Sequence, residues 1–172
     1  MVTKIQNKSP QLHETCFIHR SAVVSGNVVV GANSSIWPCA ALRGDSDSIT
    51  IGKNTSIQDN CVVHSDAGLP TTIGDNVVVG HSVTLHSCTV GNNSLIGIGS
   101  IVLNGASIGN NSIVAAGSLV TPGKHFPDGV MLMGSPAKIV RELNQEEIDG
   151  IQRNVGVYVK EAQVYKETEQ EI

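Results

Sequence analysis

The chain has 172 residues, enough for one domain built around one hydrophobic core. Apolar residues make up 40% of it but aromatic residues only 3%, so Ile, Val and Leu must fill a narrow interior. Charged residues reach 15% and the net charge is −4, which argues against a helical bundle, a disordered chain and a nucleic-acid partner.

The start of the chain and its cysteines bear on location. Residues 1–10 are polar and lack the apolar centre of a secretory signal, and no apolar run is long enough for a transmembrane helix. The four cysteines have no CxxC spacing, which favours reduced thiols over a metal or disulfide framework. We therefore expect a cytoplasmic protein with no membrane partner.

A branched aliphatic residue recurs with a period of six from Ile18 to Val120. An α-helix repeats its faces every three to four residues, whereas a short strand plus a corner, one side of a solenoid coil, fits a period of six. Insertions of three and four residues and one deletion interrupt a series in which every position is Ile, Val or Leu: Ile18, Val24, Val30, Ile36, Leu42, Ile51, Ile57, Val63, Ile73, Val79, Leu85, Val90, Ile96, Val102, Ile108, Val114 and Val120.

The residue three places after each aliphatic is mostly Asn, Asp or Gly, the types that tolerate a positive φ. This column predicts the corners of the coils, and the residue after it is mostly small. The predicted corner residues are Asn27, Asn33, Asp45, Asn54, Asn60, Asp66, Asn76, Asn93, Gly99, Gly105, Asn111, Gly117 and Gly123.

These columns resemble the hexapeptide-repeat proteins over roughly residues 10–140. The resemblance implies a left-handed parallel β-helix with three sides to each coil. We predict a mostly β fold, a single-stranded left-handed parallel β-helix, with a β-helix domain over residues 1–140 and repeats over about 18–125.

A second segment, residues 141–172, is predicted to hold an α-helix from about Asn144 to Lys166 and a polar tail. Asn144 can cap the helix, with Glu147 in the capping-box position. An apolar stripe at helical spacing predicts that the helix packs back along the β-helix: Ile148, Ile151, Val155, Tyr158, Val159 and Ala162.

Two histidines stand directly after inward-pointing residues, His64 after Val63 and His86 after Leu85. Val63 and Leu85 are one coil apart, so these imidazoles should lie one above the other at the inter-strand spacing of about 4.7–4.9 Å. One coil earlier, Arg43 stands in the same column. His81 belongs to another edge, together with Asp59 and Gln58.

Two edges of one three-sided β-helix face different directions, so their side chains cannot easily meet at one point. In a three-fold oligomer, one edge of each chain faces the other edge of its neighbour. We therefore predict a homotrimer in which Arg43, His64 and His86 of one chain meet Gln58, Asp59 and His81 of the next. Three imidazoles without a fourth protein ligand are typical of a catalytic metal site. Zn²⁺ is the first expectation, with Fe²⁺ or Co²⁺ as alternatives; such an ion yields hydroxide at neutral pH.

The sequence here resembles the gamma-class carbonic anhydrases. The resemblance rests on Arg43-Gly44-Asp45, on Gln58-Asp59 with His64 five residues on, and on His81 with His86. It implies that His64, His81 and His86 bind the metal and that metal-bound hydroxide hydrates carbon dioxide to bicarbonate. It also implies that Arg43, Asp45, Gln58 and Asp59 support the reaction, and that Tyr158 matches a helix tyrosine that reaches the metal site.

Two positions depart from that family. The more active members carry proton-shuttling glutamates where this chain has Ser46 and Ala67, which predicts slow turnover. The missing acids keep open an idle metal-binding scaffold. Acyl transfer from coenzyme A, the activity of many proteins with this repeat, also stays open, and it needs one histidine as general base. Packing is the alternative interpretation for Tyr158, and the expected role of Cys61 and Cys88.

Overall fold

The aliphatic repeat builds a parallel β-helix of about seven turns, followed by one α-helix, in the computed structural model, which describes residues 1–170. Strands of successive coils pair in parallel, so each coil adds one layer to each of three faces. The predicted class, a mostly β parallel β-helix with a C-terminal helix, is confirmed.

The first face is an 8-stranded sheet. Its parallel strands are β3 (Phe17–Ile18), β5 (Ser35–Ile36), β7 (Ser56–Ile57), β10 (Val78–Val79), β13 (Leu95–Ile96), β16 (Ile113–Val114) and β18 (Val130–Gly134), and β19 (Ala137–Glu142) pairs antiparallel with β18.

The other two faces form one 11-stranded sheet, because two long strands, β4 (Val23–Val30) and β6 (Ala41–Ile51), continue from one face to the next. The second face adds β1 (Val2–Thr3), β8 (Val62–His64), β11 (Thr84–His86), β14 (Ile101–Val102) and β17 (Leu119–Val120). The third adds β2 (Gln11–Leu12), β9 (Thr71–Ile73), β12 (Thr89–Val90) and β15 (Ser107–Ile108).

The repeated aliphatic residues form the core, as predicted. Every member of the series from Val24 to Val120 is at most 2% exposed. Ile18 is half-buried, because β3 is the end strand of the first face and only one neighbouring strand covers it. Each coil buries little by itself, so the stack is what removes apolar surface from water.

Most predicted corners have a positive φ, but Asn27, Asp45 and Asp66 do not. Asn27 and Asp45 lie inside the long strands β4 and β6, and in β4 the positive φ falls on Gly26 instead; Asp66 forms a bridge with Leu69. At one corner the side-chain amides stack from coil to coil, each donating to the next at 3.0–3.2 Å: Asn33, Asn54, Asn76 and Asn93.

The stack extends beyond the predicted repeats at both ends. Strands β1 and β2 pair with β4, and β18 pairs with β16, so that Leu132 is fully buried in the core. Strand β19 runs to Glu142, so the expected boundary at residue 140 falls inside it.

Helix α1 spans Gln145–Thr168 and packs on the first face. Asn144 and Glu147 form the predicted capping box. Ile151, Val155 and Ala162 are buried, while the aromatic rings of Phe17, Trp37, Tyr158 and Tyr165 meet edge to face under the helix. Residues 171–172 of the predicted tail lie outside the described residues.

The cysteines are free, and all but Cys39 are buried. Burial raises the pKa of the Cys61 and Cys88 thiols to about 12, which fits the packing role expected of them. Within residues 1–170, no helix combines the length and the apolar character needed to cross a membrane.

Replacing one residue of the core series should cost far more than replacing an exposed aliphatic. Ile73 is 1% exposed and Ile139 is 47% exposed. We expect Ile73→Ala to lower the free energy of unfolding by about 2–5 kcal/mol, because it leaves a cavity, and Ile139→Ala by less than about 0.5 kcal/mol. Urea titration of both variants measures the difference; equal losses would contradict the assignment of the core.

The start of α1 should respond to acid through Glu147. Hydrogen bonds from Arg141 and from the backbone of Asn144 lower the pKa of Glu147 to about 2, from an ordinary value of 4.5. A depressed pKa means that the stabilisation is present above pH 4.5 and is lost as pH falls towards 2. The Tm advantage of the natural protein over Glu147→Gln should therefore shrink across that window.

The matched control is Glu146→Gln, which removes a first-turn charge and leaves the Arg141 bonds to Glu147 in place. Its Tm difference should change less over the same pH range. A Tm gap for Glu147→Gln that does not depend on pH would contradict the linkage.

Candidate metal centre

Strand register places three polar side chains in one column on the second face. Arg43 pairs with His64, and His64 with His86, as Cα partners on adjacent strands. Successive side chains along a strand point to opposite faces. Because Leu42, Val63 and Leu85 point into the core, the residue that follows each of them points outward. The predicted ladder of Arg43, His64 and His86 is therefore present.

The two imidazoles of the ladder face each other closely. Nδ1 of His64 lies 3.0 Å from Nε2 of His86, and the ring centroids are 5.0 Å apart with a 56° tilt. Both rings are partly shielded, with 14% of the His64 side chain and 27% of the His86 side chain exposed.

Asp45 holds the outer nitrogen of His64. Its Oδ1 lies 3.0 Å from Nε2 of His64, while Arg43 donates to its Oδ2. These bonds, that from His64 foremost, hold the pKa of Asp45 at about 2, so the carboxylate is ionised and can only accept. Nε2 of His64 therefore carries a hydrogen, and Nδ1 presents its lone pair to His86.

Glycine between Arg43 and Asp45 lets the coils approach. A Cβ at Gly44 would lie 2.5 Å from the carbonyl oxygen of Asn27 on the neighbouring coil. Directly after this contact the pairing of β4 with β6 jumps from Gly26–Gly44 to Val28–Ile49, so Asp45 lies in a bulge of β6, from which it reaches His64.

An asparagine one coil away holds the outer nitrogen of His86. Oδ1 of Asn104 lies 2.9 Å from Nδ1 of His86, and Nδ2 of Asn104 donates to Oδ2 of Asp66 at 2.7 Å. Oδ1 of Asp66 is 3.7 Å from Nε2 of His86. His64, Asp66 and His86 form a group whose potential ligand atoms lie within 4.8 Å of one another.

His81 lies on another edge, as predicted, and follows the same pattern. It comes directly after β10 and Gly80, and its Nδ1 is 2.9 Å from Oδ2 of Asp59. With Nδ1 donating to the carboxylate, Nε2 is left as the free lone pair. Its side chain is 45% exposed and so is open to a partner.

Gln58 and Tyr158 lie beside His81. All three line a largely apolar cavity of about 420 Å³ between the first face and α1. Gln58 is only 3% exposed, and the Tyr158 ring meets Trp37 edge to face with centroids 6.2 Å apart. Tyr158 thus packs against the aromatic cluster and also reaches the His81 cavity.

Arg43, His64 and His86 line a different cavity of about 350 Å³ on the second face, and exposed apolar side chains surround it. Val23 and Val62 are 39% and 44% exposed at its wall. Within one chain, Asp59 has His81 as its partner and Arg43 has Asp45. One chain thus carries two separate groups of the predicted site residues.

The donor set fits a metal ion of the zinc type. In neutral imidazole one nitrogen carries a hydrogen and the other a lone pair. Acceptors engage one nitrogen of each ring, so His64 and His86 point two lone pairs at each other over 3.0 Å. Two nitrogens on a tetrahedral zinc ion lie about 3.3–3.4 Å apart, given bonds of about 2.0–2.1 Å. A cation between these nitrogens would relieve the repulsion of their lone pairs.

Asn104 and Asp66 are residues of this group whose role sequence reasoning missed. Asn104 lies outside both residue columns, two places after inward-pointing Val102, and Asp66 was predicted only as a corner. Counting one coil on from Leu85 to Val102 could have placed Asn104 near His86. Ser46 and Ala67 lie next to Asp45 and Asp66 in the chain, and neither can act as a carboxylate.

Sequence profiles of hexapeptide repeats match the chain: one described as "Hexapeptide repeat of succinyl-transferase" over residues 48–85 and one as "Bacterial transferase hexapeptide (six repeats)" over residues 87–122. Solved structures similar to it include a Bacillus cereus protein described as an acetyltransferase (TM-score 0.95, 39% identity, 96% of each chain). A galactoside acetyltransferase in complex with coenzyme A is more distant (TM-score 0.61, 30% identity, 70% of this chain and 67% of that one).

Several curated relatives are named as carbonic anhydrases. A "Probable carbonic anhydrase" of Methanocaldococcus jannaschii is 50% identical over 83% of this chain and 90% of its own length. A "Carbonic anhydrase" of Geobacillus kaustophilus is 42% identical over 99% and 94%. "Gamma carbonic anhydrase 2, mitochondrial" of Arabidopsis thaliana is 42% identical over 92% of this chain, which spans 59% of that protein. The chain therefore belongs to the gamma-carbonic-anhydrase-like family of hexapeptide-repeat proteins.

Proposed function

We propose that this protein catalyses the metal-dependent, reversible hydration of carbon dioxide to bicarbonate. The observation that carries the proposal is the 3.0 Å approach of His64 Nδ1 to His86 Nε2, with an acceptor, Asp45 or Asn104, on the other nitrogen of each ring. Acyl transfer needs one histidine as general base and gives no reason for two imidazoles to face each other in this way. The names of the relatives agree with this activity.

The proposed site lies between subunits of a homotrimer. His64 and His86 line one cavity, while His81 lines another together with Gln58 and Tyr158. Exposed Val23 and Val62 beside the first cavity are apolar surface that a neighbouring chain would cover. The free Nε2 of the neighbour's His81 would then complete a three-imidazole set.

Zn²⁺ is the expected ion, and Fe²⁺ or Co²⁺ also accept imidazole ligands. When bound, such an ion lowers the pKa of a coordinated water towards 7 and so supplies the nucleophile for carbon dioxide.

The chain's own residues orient the reactants. Asp45 and Asp59 fix the tautomers of His64 and His81, and the Arg43 guanidinium neutralises Asp45. The buried amide of Gln58 can hydrogen-bond the attacking water or the product in the apolar cavity. Helix α1 offers two further polar side chains to that cavity, Asn154 and Tyr158.

Proton removal is the expected slow step. Ser46 and Ala67 stand where a carboxylate would accept the proton, so transfer must rely on other groups or on buffer. This favours modest turnover. If proton removal were so slow that no turnover occurred, the protein would be a metal-binding scaffold without catalytic activity.

Acyl transfer from coenzyme A is the second candidate function. The solved structures described as acetyltransferases favour it, the Bacillus cereus protein most strongly because it covers nearly the whole chain. A shared fold does not decide the reaction. Direct binding of acetyl-coenzyme A to the purified protein separates the two candidates.

Removal of one imidazole should empty the site without unfolding the chain. We expect the natural protein to hold about one metal ion per chain and His81→Ala to hold none, because two imidazoles bind weakly. His13→Ala, which removes an exposed histidine elsewhere, is the control. Elemental analysis together with circular dichroism measures both properties.

Mixed trimers test whether the site is shared. Neither His64→Ala nor His81→Ala chains can form a site alone, but any trimer containing both variants has one interface with all three imidazoles. Co-expressed, separately tagged chains should therefore recover about one ion per mixed trimer. Mixed trimers without metal, with the homogeneous natural trimer loaded, would contradict a site between chains.

Turnover should depend on external buffer. In stopped-flow hydration of carbon dioxide by zinc- and iron-loaded protein, we expect kcat to rise about tenfold or more with imidazole buffer, because the chain lacks the shuttle carboxylates. Ala67→Glu should raise kcat at low buffer and reduce the dependence. No hydration with either ion at any buffer concentration, in metal-loaded protein, would favour the scaffold.

A further inference from the structure

We propose that Asn104, oriented by Asp66, is a positioning residue that holds His86 in the tautomer with its Nε2 lone pair facing His64. The inference rests on the proposed metal function, and it concerns Asn104, which neither motif matching nor the repeat singled out, and Asp66, which the repeat predicted only as a corner. It follows from two hydrogen bonds that link the side chains of Asp66, Asn104 and His86. These residues lie in, or two residues after, three neighbouring strands of the second face, β8, β11 and β14.

The direction of each bond in this chain is determined. Oδ2 of Asp66 accepts from Nδ2 of Asn104 at 2.7 Å, because a carboxylate cannot donate. The amide oxygen of Asn104 must then point away from Asp66, and it lies 2.9 Å from Nδ1 of His86. An oxygen there accepts a hydrogen from Nδ1, which leaves Nε2 of His86 without one.

The opposite amide orientation is unfavourable at both ends. It would place Oδ1 of Asn104 against the Asp66 carboxylate and its NH₂ group against Nδ1 of His86. His86 would then accept at Nδ1 and carry its hydrogen on Nε2. That hydrogen would occupy the 3.0 Å gap to His64 in which the metal is proposed to bind.

Position and support suit Asn104 to this task. Its backbone carbonyl oxygen accepts from the amide of Gly123 at 2.9 Å, so the coil holds its main chain in place. Asp66 is anchored likewise, since its amide donates to Oγ of Ser87 at 2.8 Å. Acceptors of this kind on ligand histidines are worth about 10–100-fold in metal affinity.

The test measures zinc affinity and the His86 tautomer in full-length protein. Zinc affinity is read by competition with a fluorescent chelator. The tautomer is read in metal-free protein by ¹⁵N NMR of labelled histidines at about pH 8.5, above the range in which ordinary imidazoles titrate. We expect Asn104→Leu to weaken zinc binding by about 10–100-fold and to abolish the single Nδ1–H tautomer of His86.

Asn110→Leu is the matched control. Asn110 also donates from Nδ2 to a carboxylate, that of Asp128 one coil away, at 3.0 Å. Its hydrogen-bond partners, Asp128 and the backbone amide of Asn92, are not histidines. It should reproduce the cost of losing an amide–carboxylate pair on the surface of the β-helix without changing zinc affinity. An equal loss of zinc affinity in both variants would overturn the proposal.

Exchange of the two side chains provides a rescue. The double variant Asp66→Asn/Asn104→Asp moves the donor to position 66 and keeps an acceptor facing His86. We expect its zinc affinity to return to within about threefold of the natural protein, whereas Asp66→Ala alone should lose affinity no more than Asn104→Leu.

Besides an equal loss in the control, three results would overturn the inference. They are an unchanged affinity and tautomer in Asn104→Leu, no recovery in the exchanged variant, and a loss for Asp66→Ala far above that for Asn104→Leu, which would make Asp66 a direct ligand. Failure of the natural protein to bind metal would instead remove the proposed function. The tautomer measurement on metal-free protein would still test the contact between Asn104 and His86.

Discussion

The structure depends on the stacking of one aliphatic side chain per side of each coil. Val63 and Leu85 are fully buried, and their burial sets how far one coil may slide over the next. A slip of one residue would turn the aliphatic column to solvent and bury the polar one. The interior therefore determines which side chains meet on the outside, and the stacking of His64 on His86 is a by-product of core packing.

The same register gives each of the three proposed ligand histidines a hydrogen-bond partner on a neighbouring strand or coil. His64 meets Asp45 of β6, His81 meets Asp59 on the preceding coil, and His86 meets Asn104 on the following one. In each of the three rings, one nitrogen is hydrogen-bonded to an oxygen acceptor, and the other nitrogen is left to bind a ligand. Side chains held in this way lose little freedom when a ligand arrives, which is how a rigid fold favours binding.

A shared scaffold explains why structure comparison and sequence comparison suggest different activities. The β-helix of the Bacillus cereus structure described as an acetyltransferase superposes closely on this chain, since stacked aliphatic residues produce the same three-sided coil whatever lies outside it. Chemistry resides in the outward residues next to the inward ones. In this chain they divide between two faces, so the proposed activity depends on assembly as much as on the fold of one chain.

The sequence by itself determined the period, the core and the ladder. A six-residue repeat of Ile, Val and Leu fits short strands joined by corners, and counting along it places Arg43, His64 and His86 in one column, as the strand register confirms. The cap of α1 was equally local, because Asn144 and Glu147 bond within three residues of each other.

Tertiary structure decided what depends on contacts between coils. Asp45 and Asp66 fit the corner column, yet they adopt other conformations because long β6 and the loop before β9 carry them towards the histidines. Asn104 interacts with His86 across 18 residues of chain and with Asp66 across 38. Hydrogen bonds between residues so far apart in sequence leave no repeating pattern in it, because they require only that the folded chain brings two side chains close together.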